Sequence, residues 1–116
     1  MIRFVLPWPP SVNRYWRSVN GRAILSRDGR EYRALALAAM IQQGVARAGM
    51  VGRLWLSVDA FEPDRRRRDA DNLLKAPLDA MAHAGVFGDD SQVRRMHVEI
   101  HDPDGRPRLE VAIDAM

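Results

Sequence analysis

The chain has 116 residues, 47% of them apolar and 28% charged, with no cysteine. That is enough for one ordinary domain around one core, spanning 1–116, and it excludes disorder, disulfides, thiolate zinc sites and cysteine nucleophiles. The formal net charge is +3, from 18 Lys+Arg against 15 Asp+Glu, and Lys75 is the only lysine, so every other side-chain cation in that count is arginine. Guanidinium forks onto phosphate bidentately, and a pI near 10.2 suits a polyanionic partner. A GC-rich coding sequence would also favour arginine, but it does not explain why one lysine remains where it does.

Residues 2–6 read as a short strand. Pro7-Trp8-Pro9-Pro10 must then run extended and irregular. The start, Met1-Ile2-Arg3-Phe4, has no apolar h-region, and the longest apolar run, Ala34 to Ile41, is too short for a bilayer. A cytoplasmic protein with no membrane contact is expected. Asn20-Gly21 between two β-prone runs, 15–19 and 22–26, predicts a hairpin. Ser26 or Asp28 would cap a helix running to about Ala48, with Gly49 as its stop. Its middle is apolar almost all round, which predicts a largely buried helix.

Arg53 to Phe61 alternates as a strand. A second helix should start near Asp69 or Asp71 and end at Gly85, with Leu74, Leu78, Met81 and Ala82 as its buried stripe. Pro77 lies inside it, so a kink is expected, or a first turn that is not α-helical. Strands follow at about 92–101 and 108–113, joined by the turn residues Asp102-Pro103-Asp104-Gly105. The order β, hairpin, α, β, α, β, β predicts an α/β fold: a mixed sheet with two main helices packed on it, in two layers.

The chemistry concentrates in Pro63-Asp64-Arg65-Arg66-Arg67-Arg68-Asp69-Ala70-Asp71-Asn72-Leu73-Leu74-Lys75. Arg65, Arg66, Arg67 and Arg68 form either a solvated loop or a grip on a phosphate backbone. Asp69 and Asp71 project to one side of an extended segment and so can share an ion, although carboxylates there also suit helix capping. Oxygen-only ligands favour Mg²⁺ or Mn²⁺. Asn72 could hydrogen-bond a ligating carboxylate or simply make a turn. Lys75 stands four residues after Asp71. It would form an ordinary i,i+4 ion pair, or it would stabilise charge growing on a phosphorane-like transition state. Downstream, one of Asp89 and Asp90 could complete a three-carboxylate cluster. His83, His97 and His101 lack metal-ligand spacing and read as surface or packing residues. No Gly-rich phosphate loop is present, so no nucleotide cofactor is expected.

Leu6-Pro7-Trp8-Pro9-Pro10-Ser11-Val12-Asn13-Arg14-Tyr15, the 63–75 block, Leu78-Asp79-Ala80 and Ala84-Gly85-Val86-Phe87-Gly88-Asp89-Asp90-Ser91-Gln92-Val93 resemble the RusA family of crossover-junction endodeoxyribonucleases, common in phages and prophages. The resemblance implies catalytic aspartates at Asp69, Asp71 and Asp90, an essential lysine at Lys75, Mg²⁺ or Mn²⁺, a homodimer, and a four-way (Holliday) junction as substrate; it selects Asp90 from the acidic pair and leaves Asp89 as a candidate helper. It departs at Pro77, where some relatives carry a small apolar residue. Two symmetric nicks independently favour a two-fold dimer. Trp8, Trp16, Phe87 and the apolar helix would offer interface surface. The alternatives are a branched-DNA-binding module without catalysis, a metal-dependent nuclease of other branched DNA, and a small phage structural protein.

Overall fold

The computed structural model describes residues 1–116. Strand β1 (Ile2–Pro7) leads through the proline segment to a single turn, α1 (Val12–Tyr15). Then come the hairpin β2 (Trp16–Val19) and β3 (Arg22–Leu25), and helix α2 (Arg27–Gln42). Strand β4 (Leu54–Phe61) is followed by a 3₁₀ turn (Ala70–Leu73) and helix α3 (Lys75–His83). A second 3₁₀ turn (Asp90–Gln92) opens strand β5 (Val93–His101), and β6 (Arg108–Ala115) ends the chain. The four-stranded sheet has the order β1-β6-β4-β5, with β4 and β5 parallel and the other pairs antiparallel. The parallel pair needs a crossover, and α3 supplies it. The mixed α/β architecture expected from the element order is therefore present. No helix is long and apolar enough to cross a membrane.

Alternation sets the core. Phe4 and Leu6, Leu54, Leu56, Val58 and Ala60, and Leu109, Val111 and Ile113 are buried on one sheet face, beneath Tyr32, Ala36 and Met40 of α2 and Ala80 and Met81 of α3. Asn20 and Gly21 both take positive φ (50° and 74°), as the hairpin turn requires.

Helix α2 ends earlier than its apolar pattern predicts. Gly44 adopts φ +75°, its N–H bonds to Ile41 O, and the Val45 N–H reaches back to Met40 O. This is a Schellman stop, with buried Val45 packed as the closing apolar residue. Residues 45–50 then leave the helix and dock on the end of α3, where Arg47, Gly49 and Met50 donate to Ala84, Gly85 and Val86. Nor is α2 buried all round. Leu35 and Ile41 are 62% and 61% exposed, because a two-layer fold covers a helix on one side only.

Helix α3 also differs in phase. The chain breaks at Leu74, so the first turn is 3₁₀ and the α-helix begins at Lys75. Pro77 thereby sits in the first α-turn, where its missing N–H has no intrahelical acceptor to serve. Restarting the helix turns Leu73, Ala76, Pro77, Ala80, Met81 and Ala84 inward, while Leu74, Leu78 and Ala82 flank the core. Phe87, expected at the surface, is buried among the core residues. Trp8 and Trp16 are half-buried.

One glycine is demanded by close packing. A Cβ on Gly29 would lie 2.3 Å from the Tyr15 carbonyl oxygen, where α1 crosses the start of α2. Gly29→Ala is expected to cost about 1–3 kcal/mol through this overpacking, read as a lowered midpoint in urea unfolding.

Candidate active site

The loop from β4 to the first 3₁₀ turn is built by its own charges. Asp64 accepts from the Arg66 backbone N–H (2.9 Å) and from Arg68 (2.8 Å), and these contacts, the backbone one first, hold its carboxyl below the usual range. Arg68 is largely buried. Its guanidinium donates to the Asp64 and Arg66 carbonyls (3.1 and 3.2 Å), pairs with Glu62 (3.5 Å) and lies 5.4 Å from the Trp8 ring centre. Arg65 reaches Asp102 at 3.6 Å, and Arg66 returns to Asp64. Arg67 makes no hydrogen bond or ion pair within the chain. The four arginines therefore divide: Arg68 holds the loop together from inside, whereas Arg67 faces solvent free.

Beyond them the chain presents Asp69, Asp71 and Lys75. Asp69 occupies the cap position of the 3₁₀ turn with extended backbone (φ −96°, ψ 133°), yet its side chain makes no capping bond; its carbonyl accepts from Asn72 N–H. Asp71 lies within that turn, exposed and without a side-chain partner. Lys75 is the first residue of α3, exposed, with no carboxylate within ion-pair distance. The break at Leu74 removes the continuous helix that an i,i+4 pair with Asp71 would need. Neither capping nor a local ion pair accounts for these three side chains. Asn72 is half-buried and its amide makes no side-chain bond.

The downstream acidic pair separates cleanly. Asp89 caps the second 3₁₀ turn, and Gln92 closes the capping box by accepting from Gly88 and Asp89 N–H (2.8 and 3.0 Å). The Ser91 hydroxyl, and after it the Ser91 N–H, hold the Asp89 carboxyl below the usual range. Gln92 also ties this turn to the Met50 and Gly52 carbonyls at 3.0 Å. Asp90 is left exposed, its carboxylate unbonded. Both 3₁₀ turns pack against α3; the first also touches β5 and the second leads directly into it. The carboxylates of Asp69, Asp71 and Asp90 do not draw within 4.8 Å of one another. As a donor set, three exposed carboxylates with no protein hydrogen bonds suit a hard divalent cation.

Behind Lys75, α3 is anchored by a network that the spacing did not reveal. Asp79, one turn on, accepts from the Tyr15 hydroxyl and from two nitrogens of Arg33 (2.8 and 3.2 Å). Burial, reinforced by Asp79, pushes the Tyr15 hydroxyl far up, so it stays a neutral donor. Three helices thus meet on one carboxylate, which orients the helix that starts with Lys75. A groove of about 350 Å³ was also missed. It is lined by Trp8, Pro10, Arg14, Arg66, Arg67 and Arg68, and it brings the proline-rich segment against the arginine loop. Prolines around a tryptophan were its only trace in the sequence.

A second titratable cluster lies on the sheet face away from the helices. Asp59, Glu99 and His101 bring ligand atoms within 4.8 Å of one another. His101 Nε2 lies 2.8 Å from Asp59 and 3.3 Å from Glu99, and its ring stacks on Phe61. The hydrogen bond to Asp59 raises the His101 pKa above its ordinary 6.5; burial opposes it, and the charges of Glu99, Asp59 and Glu110 add to the rise. Because the folded-state value is raised, the pair stabilises fully below that ordinary value. The contribution fades as pH climbs through the folded-state pKa. The His101 ring-proton titration should have its midpoint above 6.5, and Asp59→Asn should bring it down.

The endodeoxyribonuclease RusA family model matches residues 7–114, which include every residue described above at both 3₁₀ turns and along the groove. The chain belongs to the RusA family. It is 40% identical over 111 residues to the crossover junction endodeoxyribonuclease RusA of Escherichia coli K12, covering 96% of this chain and 92% of that protein. The enzyme of Enterobacteria phage 82 is equally similar, and that of phage HK97 is 39% identical over 94% of this chain and 92% of its own. Membership in the RusA family rests on nearly the whole chain, and the matched span takes in both acidic turns and the arginine loop.

Proposed function

We propose that this chain is a divalent-metal-dependent endodeoxyribonuclease that resolves four-way DNA junctions by paired symmetric nicks. One observation carries the proposal. Asp69, Asp71, Asp90 and Lys75 are all exposed and free of protein partners around one helix, in a chain 40% identical to junction endonucleases. Charged groups with no structural partner are available for substrate and ion.

Asp69, Asp71 and Asp90 would hold Mg²⁺ or Mn²⁺. When bound, such an ion supplies Lewis acidity and a water of lowered pKa. Hydrolysis adds water at the scissile phosphorus and breaks one P–O bond. Lys75 donates to the non-bridging oxygen on which charge grows. Arg66, Arg67 and Arg14 line the groove along which a phosphate backbone would lie, and backbone contacts read junction shape rather than sequence. Asp89 caps the turn that carries Asp90, and the Asn72 amide, with no bond inside the chain, stands beside Asp71 to hydrogen-bond a ligating carboxylate. Two subunits would present two such sites to a substrate that is itself nearly two-fold. The working unit is one domain per subunit, cytoplasmic, with no nucleotide cofactor.

The test is cleavage of an end-labelled four-way junction, with Mg²⁺ or Mn²⁺ and with EDTA, beside a fork and a linear duplex. Paired nicks on opposite strands of the junction, absent in EDTA, are expected. Preferential cutting of the fork would make the protein a nuclease of other branched DNA. Tight binding without cutting would make it a binding module.

A further inference from the structure

The two edges of the main sheet are treated differently. On β1, the Gln43 side-chain amide lies along the outer edge as a strand would: it accepts from Val5 N–H and donates to Val5 O, both at 2.7 Å. Pro7, next on that edge, has no N–H to offer. The β1 edge is therefore closed. The β5 edge is not. Glu62 N–H donates to His101 O at 3.3 Å, so the odd-numbered residues of β5 turn their backbone groups toward β4. Beyond a bulge at Arg94, the even-numbered Met96, Val98 and Ile100 turn theirs outward, on the free edge of the sheet. The strand holds no proline or glycine, and from Arg95 to His101 its edge is regular and open. Such an edge is a template for another strand.

We propose that β5 pairs antiparallel with β5 of a second copy, on a two-fold axis at His97, joining two four-stranded sheets into one of eight strands. This deepens the dimer reading above and rests on it. The sequence of β5 is complementary to itself in that register. Arg95 falls opposite the partner's Glu99, and Glu99 opposite the partner's Arg95, both on the sheet face away from the helices. Met96 faces the partner's Val98, and Val98 the partner's Met96, on the other face. These even-numbered pairs exchange the outward N–H and C=O groups. The odd-numbered pairs are the close, non-hydrogen-bonded ones, with Cα atoms about 4.5 Å apart. Moving the axis to Met96 would set Arg95 against the partner's His97, and moving it to Val98 would set Arg95 against the partner's His101. Only the axis at His97 matches both charges.

The chain has no cysteine, so one introduced thiol reports one contact. His97→Cys places that thiol on the axis, opposite its own copy and within reach of a disulfide. Val51→Cys, at a position 84% exposed and outside the sheet, is the control. Mild oxidation of the full chain should convert His97→Cys to a covalent dimer and leave Val51→Cys monomeric on a non-reducing gel. By light scattering, Glu99→Arg should weaken the dimer about tenfold or more, by setting like charges opposite each other. Arg95→Glu with Glu99→Arg should restore it to within about threefold of the original chain, which a misfolded variant would not do. A stable dimer in which His97→Cys does not cross-link would overturn this interface and leave the dimer reading intact, as would a dimer lost on Leu35→Asp in α2 but not on Glu99→Arg. A monomer at tens of micromolar, with and without junction DNA, would remove both.

Discussion

Asp71→Asn is expected to abolish junction cleavage, lowering the single-turnover rate by about 10³-fold or more, and to leave junction binding in place. The substitution keeps the shape of the side chain and removes its charge. A divalent cation held by carboxylates is worth several kcal/mol of transition-state stabilisation, so losing one charged ligand is costly. Folding should not suffer, because the Asp71 carboxylate makes no hydrogen bond or ion pair that the variant would break. Unfolding midpoints of the two proteins should agree within the ordinary scatter for surface changes, about 0.5 kcal/mol. The informative companion is His101→Ala. Asp59, Glu99 and His101 are the most tightly gathered metal-type donors in the chain, on the sheet face away from the helices. If the ion works from the acidic turns, His101→Ala cuts normally. Metal-dependent cutting lost in His101→Ala and kept in Asp71→Asn would move the catalytic ion to the sheet and end the assignment to Asp69, Asp71 and Asp90.

Lys75→Ala should lower the cleavage rate about 10²- to 10³-fold, the usual effect of removing one donor aimed at developing charge. Junction affinity should change little, because one surface cation among so many arginines contributes little to backbone binding. Lys75→Arg should rescue poorly, since a planar guanidinium does not replace a compact ammonium at a fixed point. Two features make the experiment clean. Lys75 has no ion pair to lose, and it is the only lysine, so no neighbouring ammonium can substitute. Asp79→Asn gives a contrasting result. It removes the charge on which Tyr15 and Arg33 converge, so lowered stability should accompany any loss of rate. An unchanged rate in Lys75→Ala would confine the lysine to a solvated role.

Much of the fold was legible because local rules agreed with the tertiary context. Asn20-Gly21 required a turn with positive φ and made one. Alternation in 53–61 set Leu54, Leu56 and Val58 on one face, and that face is the buried one, since a half-buried strand has only two. The proline at 77 announced that the first turn of its helix could not be ordinary, and the turn is 3₁₀. The errors share a cause. Val45 and Ala46 extended the apolar pattern of α2, and periodicity cannot tell a continuing helix from a chain that stops and folds back on α3. Gly44 followed by an apolar residue was the available signal. Phe87 and the inward face of α3 were misjudged because both depend on where the chain restarts after Leu74.

The sequence by itself determined the family, the mixed α/β element order, and the short stretch in which acidic, cationic and amide groups gather. Those properties are local, or recur at spacings a linear pattern can carry. Only the tertiary structure decided which of those groups are available. It bound Asp89 into a cap and released Asp90, folded Arg68 into its loop and left Arg67 free, and separated Lys75 from Asp71. It also set Trp8 and Arg14 beside the arginines, gathered Asp59, Glu99 and His101, and closed one sheet edge with Gln43 while leaving the other open. The last of these turn on a partner distant in the chain, as Gln43 on Val5 and His101 on Asp59 show, whereas Asp89 and Arg68 find theirs within four residues, at Ser91 and Asp64. A hydrogen bond between residues far apart in sequence leaves no period or spacing for a linear reading to detect.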